Sequence, residues 1–572
     1  MAIGQTRMRI VNGGLGLTGP SASKVHVKIG PSASGTANAL VSVGDPNTAR
    51  TAFTAGPLPR SLGHAFGVKT TGRRIGKILA MKCATTTAGR AGDVRKAAVS
   101  GGTGTGTVTV AATSTGSIND RYLVRVEITA AGTVGTARFR YSLDDGRTWS
   151  REVTVPSGGT YAVAEAGFTL TFVPGAGTPF FEDGDVHYFR TVAPAPSTSD
   201  LRAAFTALKN ARVEFFAAHI VGPPAPVLSA VDSDGTTPPT ITLTGNPSDW
   251  WRIKVKCVLL GALATWKLQY SLDGGATYNG TDILSAATVL IPETGVTLNI
   301  AAGNAAVDNT WTFDSCNLDG LGDLHDEARA DIALCEGADQ YARVVIEAPR
   351  AADADLIALD PTLTDDPLVA IAGGFATLAN ALDTREELRS VAWPAVARLA
   401  CIPPGELAEK VAAEACGDVL ALDRDEDVTP GLDDARFITM RTIRGKSGYF
   451  IGGTPVRHTP TGDVTDLTAG RVIDAAERVG RVALLEFQGD DLVVQAGTGY
   501  IDELEAQRID SAVRQAVARE LEGQASAITV TTERDRNLTS DPTLNVAITV
   551  TPKGYARSIA GAVALGLVAA AQ

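Results

Sequence analysis

The run Ala527-Ile-Thr-Val-Thr531, the polar turn Glu533-Arg-Asp-Arg-Asn-Leu-Thr-Ser-Asp-Pro542 and the run Leu544-Asn-Val-Ala-Ile-Thr-Val-Thr551 decide how this chain is read. Two β-rich runs flanking a turn of Asn, Asp, Ser and Pro predict a hairpin. Before it, Ile501, Leu504, Ile509, Val513, Val517 and Leu521 recur at helical spacing, which predicts an amphipathic helix over 501–521. The opposite face carries Glu505, Arg508, Asp510, Arg514 and Glu520, with Asp510 four residues before Arg514, as an exposed ion pair requires. After Pro552-Lys-Gly554 comes Ala556-Arg-Ser-Ile-Ala-Gly-Ala-Val-Ala-Leu-Gly-Leu-Val-Ala569. That run is too short and too glycine-broken to span a bilayer. It is also too apolar to be left in water. Either it docks on its own domain, as terminal elements often do, or it is donated to the open sheet edge of another copy.

Outward from this segment, 572 residues predict several domains rather than one core. A net charge of −12 argues against a general nucleic-acid binder, which needs clustered Lys and Arg to neutralise phosphates. Cys83, Cys257, Cys316, Cys335, Cys401 and Cys416 are scattered without a CxxC pair, so they read as buried free thiols of a protein folded in a reducing cytoplasm. The first residues, Met1-Ala-Ile-Gly-Gln-Thr-Arg7, contain no long apolar core, so no signal peptide is expected, and no apolar run reaches transmembrane length.

Residues 93–196 and 225–317 are rich in Thr, Val and Gly and lack helical periodicity. They are repeats of one another. Asp120-Arg-Tyr-Leu-Val-Arg-Val126 matches Asp249-Trp-Trp-Arg-Ile-Lys-Val255. Arg138-Phe-Arg-Tyr-Ser-Leu-Asp-Asp-Gly-Arg-Thr-Trp149 matches Lys267-Leu-Gln-Tyr-Ser-Leu-Asp-Gly-Gly-Ala-Thr-Tyr278 at the same offset. Gly167–Phe172 matches Gly295–Ile300 one residue off. Short alternating strands separated by turns predict a β-sandwich of about a hundred residues in each. Around them, the capped helix 197–208 leads to the apolar strand 213–222, and the helix 324–335 leads to the apolar strand 341–347. Helix then buried strand, repeated, predicts an α/β layer with a mostly parallel sheet. The two modules are therefore inserted at loops of that layer, where insertion costs little.

At the other end, Met8-Arg-Ile-Val11 is strand-like and Gly13–Gly19 is a glycine-rich link. Lys24-Val-His-Val-Lys-Ile-Gly30 alternates, with Val25, Val27 and Ile29 on one face. A β stretch joined by a flexible link fits an N-terminal arm; the plainer alternative is an edge strand on its own sheet. Asp45-Pro46 is a helix start, a capping acceptor followed by proline at the first helical position.

The C-terminal order of helix, strand, Asn/Asp-rich turn, strand ending in Val550-Thr-Pro552 and apolar arm resembles the C-terminal domain of contractile tail sheath proteins, found in contractile-tailed phages and related injection machines. The predicted hairpin of Phe437–Ile443, Gly445-Lys-Ser-Gly448 and Tyr449–Gly452 extends the resemblance. So does the helix capped by Asp466 that carries Arg471-Val-Ile-Asp-Ala-Ala-Glu-Arg-Val479. The resemblance is continuous over residues 435–570, weaker over 1–85 and absent over the two β-modules. Sheath proteins end a short helix near a Phe-Gly step, whereas Phe53 here is followed by Thr54.

That resemblance implies an α+β multidomain subunit: an α/β sheath core, two inserted β-sandwich modules and extended N- and C-terminal arms. The divisions are an arm over 1–30, sheath core over 31–92, 197–224 and 318–430, modules over 93–196 and 225–317, a tube-proximal C-terminal sheath domain over 431–555 and an arm over 556–572. It implies a viral tail protein of the virion, assembled in the host cytoplasm. Copies would polymerise into stacked hexameric rings around an inner tail tube, and the sheath would contract to drive that tube through the target envelope for genome ejection. The implied partners are further copies of the chain, the tube protein, and baseplate and tail-terminator proteins, with neither nucleic acid bound directly nor membrane. The inter-subunit arms would use Met8, Ile10 and Val11 at one end and Ile559, Val563, Leu565, Leu567 and Val568 at the other. Glu505, Arg508 and Arg514 are the candidates for facing the tube.

No catalytic residue, cofactor or metal is expected. Ser142-Leu-Asp-Asp-Gly-Arg-Thr-Trp149 fits the Asp-box pattern S-x-D-x-G-x-T-W, and Ser271–Tyr278 fits it with Tyr for Trp. Such boxes occur in sialidases and other glycan-active propellers, so a glycan-binding or glycan-hydrolysing surface protein is the alternative function. The box itself is a tight hairpin, with Asp accepting turn N–H groups and Gly at positive φ. A propeller needs a blade roughly every 40–50 residues, which two boxes so far apart do not supply. Glu182-Asp-Gly-Asp185 and Asp232-Ser-Asp-Gly235 lack the full ligand set of a calcium loop and read as acidic turns. His26, His64, His187, His219, His325 and His458 show no metal-binding spacing, and His219, in an apolar strand, reads as a satisfied core residue.

Overall fold

The computed structural model describes residues 22–555 except 71, 98–103, 113–116 and 384. The fold is mixed α+β, with several sheets and helices. It divides into two compact units, Met1–Asp474 and Ala475–Gln572. Met8, Ile10 and Val11, and the run from Ala556 that contains Ile559, Val563, Leu565, Leu567 and Val568, lie outside the described residues.

An eight-stranded sheet organises the first unit. Its order is Leu40–Val43, Ile78–Lys82, His26–Gly30, Ala217–Ile220, Arg343–Glu347, Val369–Ala372, Phe437–Ile443 and Lys446–Gly453. The two outer strands are antiparallel to their neighbours and the strands between them are parallel. Parallel strands need crossover helices, and helices on both faces leave no strand half-exposed. Alternation divides the side chains accordingly. Val25, Val27, Ile29, Val344, Ile346 and Ile371 pack with the helices Thr198–Ala211 and Leu318–Glu336. Val345, Ala370 and Ala372 face the helices Pro57–Gly67 and Ala392–Cys401.

The stretch expected to be an arm or an edge strand is neither. Val25, Val27 and Ile29 do share one face, but His26–Gly30 is an interior strand, with His26 paired to Ala217 and Val27 to Leu79. Any arm is confined to residues before 22. A glycine-rich sequence ahead of a strand carries no information about where that strand pairs. The Asp45 start does form: its carboxylate accepts from Asn47 N and Thr48 N. Ser197 and Asp200 form a full capping box ahead of Thr198–Ala211. The hairpin after Phe437 turns at Arg444-Gly445, and the Lys446–Gly448 link is already strand.

Each repeat interrupts a strand-to-helix crossover at the carboxyl edge of this sheet. The first lies between Ile78–Lys82 and Thr198–Ala211, and the second between Ala217–Ile220 and Leu318–Glu336. Their strands pair in the same order. In the first, Phe168–Val173 lies between Thr160–Val163 and Thr107–Ala112, while Val186–Val192, Leu123–Ala130, Arg138–Ser142 and Val153–Thr154 pair in sequence. In the second, Val296–Ile300 lies between Thr288–Ile291 and Ile241–Gly245, while Thr310–Asp314, Arg252–Leu259, Lys267–Ser271 and Ile283–Leu284 pair in sequence. Each has its own buried cluster, built on Phe139, Phe168 and Phe172 in the first and on Trp266 and Trp311 in the second.

The repeats are joined through equivalent aspartates. Asp120 accepts a bidentate pair from Arg389 of the hairpin strand Glu386–Ser390, outside the repeats, at 2.8 and 2.7 Å. Asp249, its counterpart, accepts from Arg121 at 3.1 and 2.9 Å and from Arg190 at 2.5 Å, both in the first repeat. Those arginines hold the buried Asp249 carboxyl well below the usual range against the opposing effect of burial. In the second repeat, Trp250 and Asp314 stand where Arg121 and Arg190 stand in the first. The chain of aspartate–arginine joints therefore stops after two repeats.

Candidate assembly surface

The second unit ends the described chain with a helix and a hairpin. The helix is Glu503–Glu520; Asp502 caps it by accepting from Leu504 N at 2.9 Å. Ala506, Ile509, Val513 and Val517 are fully buried, and Ile501 and Leu521 close the two ends. Leu504 departs from the expected apolar face, being 75 % exposed. At about 100° per residue, nine positions separate it from Val513 by half a turn of the helical wheel, which puts it on the water side. Ala506 takes the place assigned to it.

Asp510 does not pair with Arg514. It accepts from Thr532 N and Oγ1 at 2.8 and 2.7 Å and from Arg534 at 2.9 Å, tying the helix to the hairpin. Arg534 also reaches Glu503 at 2.9 Å. Of the three residues expected to face a tube, Glu505 and Arg508 pair with each other, and Arg508 also binds Asp490 at 2.8 Å and stacks on Phe487. Arg514 is exposed.

The hairpin pairs Ala525–Thr532 with Val546–Pro552 in antiparallel register, Ile528 opposite Val550 and Val530 opposite Ile548. Ile528, Val530, Val546, Ile548 and Val550 point to one face and are buried or half-buried. The other face is Ala527, Thr529, Thr531, Ala547, Thr549 and Thr551, all exposed. At the turn, Asn537 Oδ1 accepts from Thr539 N and Oγ1. Three properties stand together. The sheet has two strands, so among the described residues each strand has an unpaired edge. Neither strand contains a charged residue, the usual device that blunts an edge. A two-stranded ribbon is also marginal on its own. Beside the hairpin, Phe487, Leu492, Val494, Ile509, Leu538 and Leu544 line a groove of about 830 Å³.

A second constellation lies within the eight-stranded sheet. Lys28, wholly buried, donates to Ser61 Oγ at 2.5 Å and meets His219 Nδ1 at 3.4 Å. His219 Nε2 contacts Glu347 Oε1 at 2.9 Å, and Trp393 Nε1 donates to the same oxygen at 2.8 Å. His219 thus relays between a buried ammonium and a buried carboxylate, so its expected role as a satisfied core residue holds. Burial pushes Lys28 down to about 7, with Glu347 opposing, and pushes His219 down to about 4, helped by Lys28. His26, in the same cluster, is lowered by burial, then by Lys28 and His219. A histidine whose folded pKa is depressed binds its proton in the unfolded chain first. Stability therefore falls as pH drops from about 6.5 towards 4. Gln at position 219 keeps a donor for Glu347 and an acceptor for Lys28 without titrating. We expect His219→Gln to flatten the pH dependence of urea-unfolding free energy across that window, by on the order of 1–3 kcal/mol. An unchanged slope would assign the acid sensitivity elsewhere.

Both Asp boxes are turns built alike. Ser142 Oγ donates to Asp144 at 2.7 Å and accepts from Gly146 N at 2.8 Å, and Asp144 accepts from Thr148 N and Oγ1 at 2.8 and 2.6 Å. Ser271, Asp273, Gly275 and Thr277 repeat this at 2.5, 2.8, 2.9 and 2.5 Å. Gly146 and Gly275 take the expected positive φ. Trp149 and Tyr278 lie against the turn glycines Gly146 and Gly275 and are half-buried under cations, Arg140 over Trp149 and Lys256 over Tyr278. Among the described residues no group of three or more His, Cys, Asp or Glu side chains is arranged to hold a metal, and Asp185 of the first acidic turn pairs with Lys96 at 2.8 Å. All six cysteines are free and buried, and burial raises Cys83 and Cys335 to about 12.

No family model and no curated protein matches the chain. Among solved structures, it is similar to the sheath tail protein of Listeria innocua, at 10 % identity and a TM-score of 0.38, covering 92 % of this chain and 94 % of that one. It is similar to the sheath tail protein of Desulfitobacterium hafniense at 11 % identity and a TM-score of 0.38, covering 92 % and 96 %. It is also similar to the contracted-state sheath complex of an extracellular contractile injection system, PVC, at 11 % identity and a TM-score of 0.32, covering 41 % and 67 %.

Proposed function

We propose that this chain is the structural subunit of a contractile tail sheath. In this reading copies stack as hexameric rings around an inner tail tube, joined to a baseplate at one end and a terminator at the other. The sheath sits on the virion tail after assembly in the host cytoplasm, and its contraction drives the tube through the target envelope for genome ejection. Residues before 22 and after 555 serve as arms between copies, Met8, Ile10 and Val11 at one end and Ile559, Val563, Leu565, Leu567 and Val568 at the other. The two repeats are β-sandwich modules placed away from the tube. Arg514, exposed on its helix, is the remaining free candidate for tube contact.

The observation that supports this reading is the uncharged hairpin with two open edges, followed directly in sequence by an apolar segment. Strand addition satisfies the edge N–H and C=O groups and gives the apolar segment a surface to cover. A head-to-tail contact whose rotation does not close on itself builds an open helical array, as a stacked sheath requires. The test is a charge on the exposed face. Thr531→Lys leaves the hairpin's buried face intact but burdens each added strand. The concentration needed for assembly, followed by light scattering, should rise about tenfold or more, the equivalent of one desolvated charge. Assembly at the wild-type concentration would remove the hairpin from the interface.

A further inference from the structure

The first repeat carries a guanidinium without an acid. Arg125 lies on the outward face of Leu123–Ala130, its carbon 5.1 Å from the Tyr188 ring centroid and 5.8 Å from that of Trp149. The other arginines around it all have carboxylates: Arg95 has Glu293, Arg140 has Glu127 at 2.8 Å, and Arg190 has Asp249 at 2.5 Å. Among the described residues Arg125 forms no ion pair, and its Nε is buried without a hydrogen-bond partner. It forms the wall of a cavity of about 390 Å³ that Arg95, Tyr188, Arg190, Asp145 and Glu293 also line. The second repeat lacks the arrangement. Lys254 stands in place of Arg125, Thr312 in place of Tyr188 and Gln269 in place of Arg140. The aromatic clamp is therefore a property of one copy and not of the module.

We propose that this cavity binds a carboxylate-bearing sugar unit of a surface glycan, with Arg125 as its anion receptor. A guanidinium held rigid by two rings presents a fork that matches a carboxylate in two parallel hydrogen bonds. Its ordering has been met by the fold, so little freedom is lost on binding. Asp145 and Glu293 accept hydroxyl hydrogens and repel a second anionic group. The site therefore selects a ligand with one carboxylate and several hydroxyls, and rejects polysulfated chains and nucleic acids. The cavity volume suits one or two sugar rings. This inference is independent of the sheath reading: it needs only the cavity that Arg125 of the first repeat forms with Glu293 of the second.

The test is biolayer interferometry of the full chain against immobilised hyaluronan oligosaccharide, α2,3-sialyllactose, carboxyl-reduced hyaluronan and heparin. The first two distinguish a uronic from a nonulosonic acid as the source of the carboxylate. Binding is expected to at least one of them and to neither carboxyl-reduced hyaluronan nor heparin. Arg125→Gln should weaken it at least about tenfold, as loss of a charge-assisted bidentate pair requires. The exposed Arg151→Gln should leave it unchanged, and Asp145→Asn should admit heparin. The proposal is overturned if neither carboxylated glycan binds, if carboxyl-reduced hyaluronan binds equally, or if Arg125→Gln, melting like the wild type, retains full binding. Continued exclusion of heparin by Asp145→Asn would overturn the selection for a single anion.

Discussion

Removing Ala556–Gln572 is expected to turn an assembling protein into a folded monomer. Among the described residues, the helix Glu503–Glu520 and its hairpin close around Ala506, Ile509, Val513 and Val517. What the truncation takes away is the only stretch after the hairpin with enough apolar surface to cover an edge. Ile559, Val563, Leu565, Leu567 and Val568 would each contribute about 1.5–3 kcal/mol if fully buried against a neighbour. Edge pairing of the backbone would be lost with them. In the proposed array each copy both gives and receives an arm, so the loss would be felt at every junction. Sedimentation velocity should show one slow species and an unchanged melting temperature. Continued sedimentation as polymers would mean that the arm is not the link between copies. A collapse in melting temperature would mean that it is docked on its own domain.

Asp474→Ala should destabilise the fold by about 3–5 kcal/mol, because it breaks a buried ion pair from one side only. Asp474 accepts a bidentate pair from Arg343 at 3.1 and 2.6 Å, with the two side chains 1 and 5 % exposed. Arg343 begins an interior strand of the eight-stranded sheet, and Asp474 lies three residues after Arg471, one turn along the same helix. Arg471 donates to Ser23 O and Ile402 O at 2.9 and 3.0 Å and stacks on Phe216. The Arg-Val-Ile-Asp run thus seats the helix on the sheet through two buried charges. Removing one carboxylate takes the bidentate acceptor from a buried guanidinium, which keeps Pro367 O at 2.8 Å. The cost comes from a buried charge losing this opposite charge and not from the net worth of the pair. The double variant Arg343→Met, Asp474→Leu should therefore recover most of the loss in urea unfolding. Equal destabilisation by the single and double variants would show that packing, not charge, sets the cost.

Much of this was legible because the patterns are local. Asp45-Pro46 and Ser197 cap their helices through atoms two or three residues away. The repeat offset carried over to the strands, and the Asp-box residues fixed a turn within eight positions. Where sequence reading failed, the deciding partner was far along the chain. Asp510 had Arg514 at helical spacing but took Thr532 and Arg534, which only the hairpin brings near. Leu504 is apolar, yet its angle on the helical wheel turns it to water. Lys28, His219 and Glu347 sit at polar positions in apolar strands, a signal for a buried network. Their meeting, however, needs the order of the parallel sheet, with Lys28 directly opposite His219. The same holds for Arg125. Its unpaired state follows from the partners that Glu127, Asp249 and Glu293 took, and no spacing rule predicts that.

The central claim, that copies of this chain build a tube by lending strands to one another, is tested most directly by negative-stain imaging of the purified full-length protein. The account predicts hollow, transversely striated tubes of uniform width, absent from the chain ending at Tyr555. A field of discrete particles from the full-length chain at high concentration would contradict it.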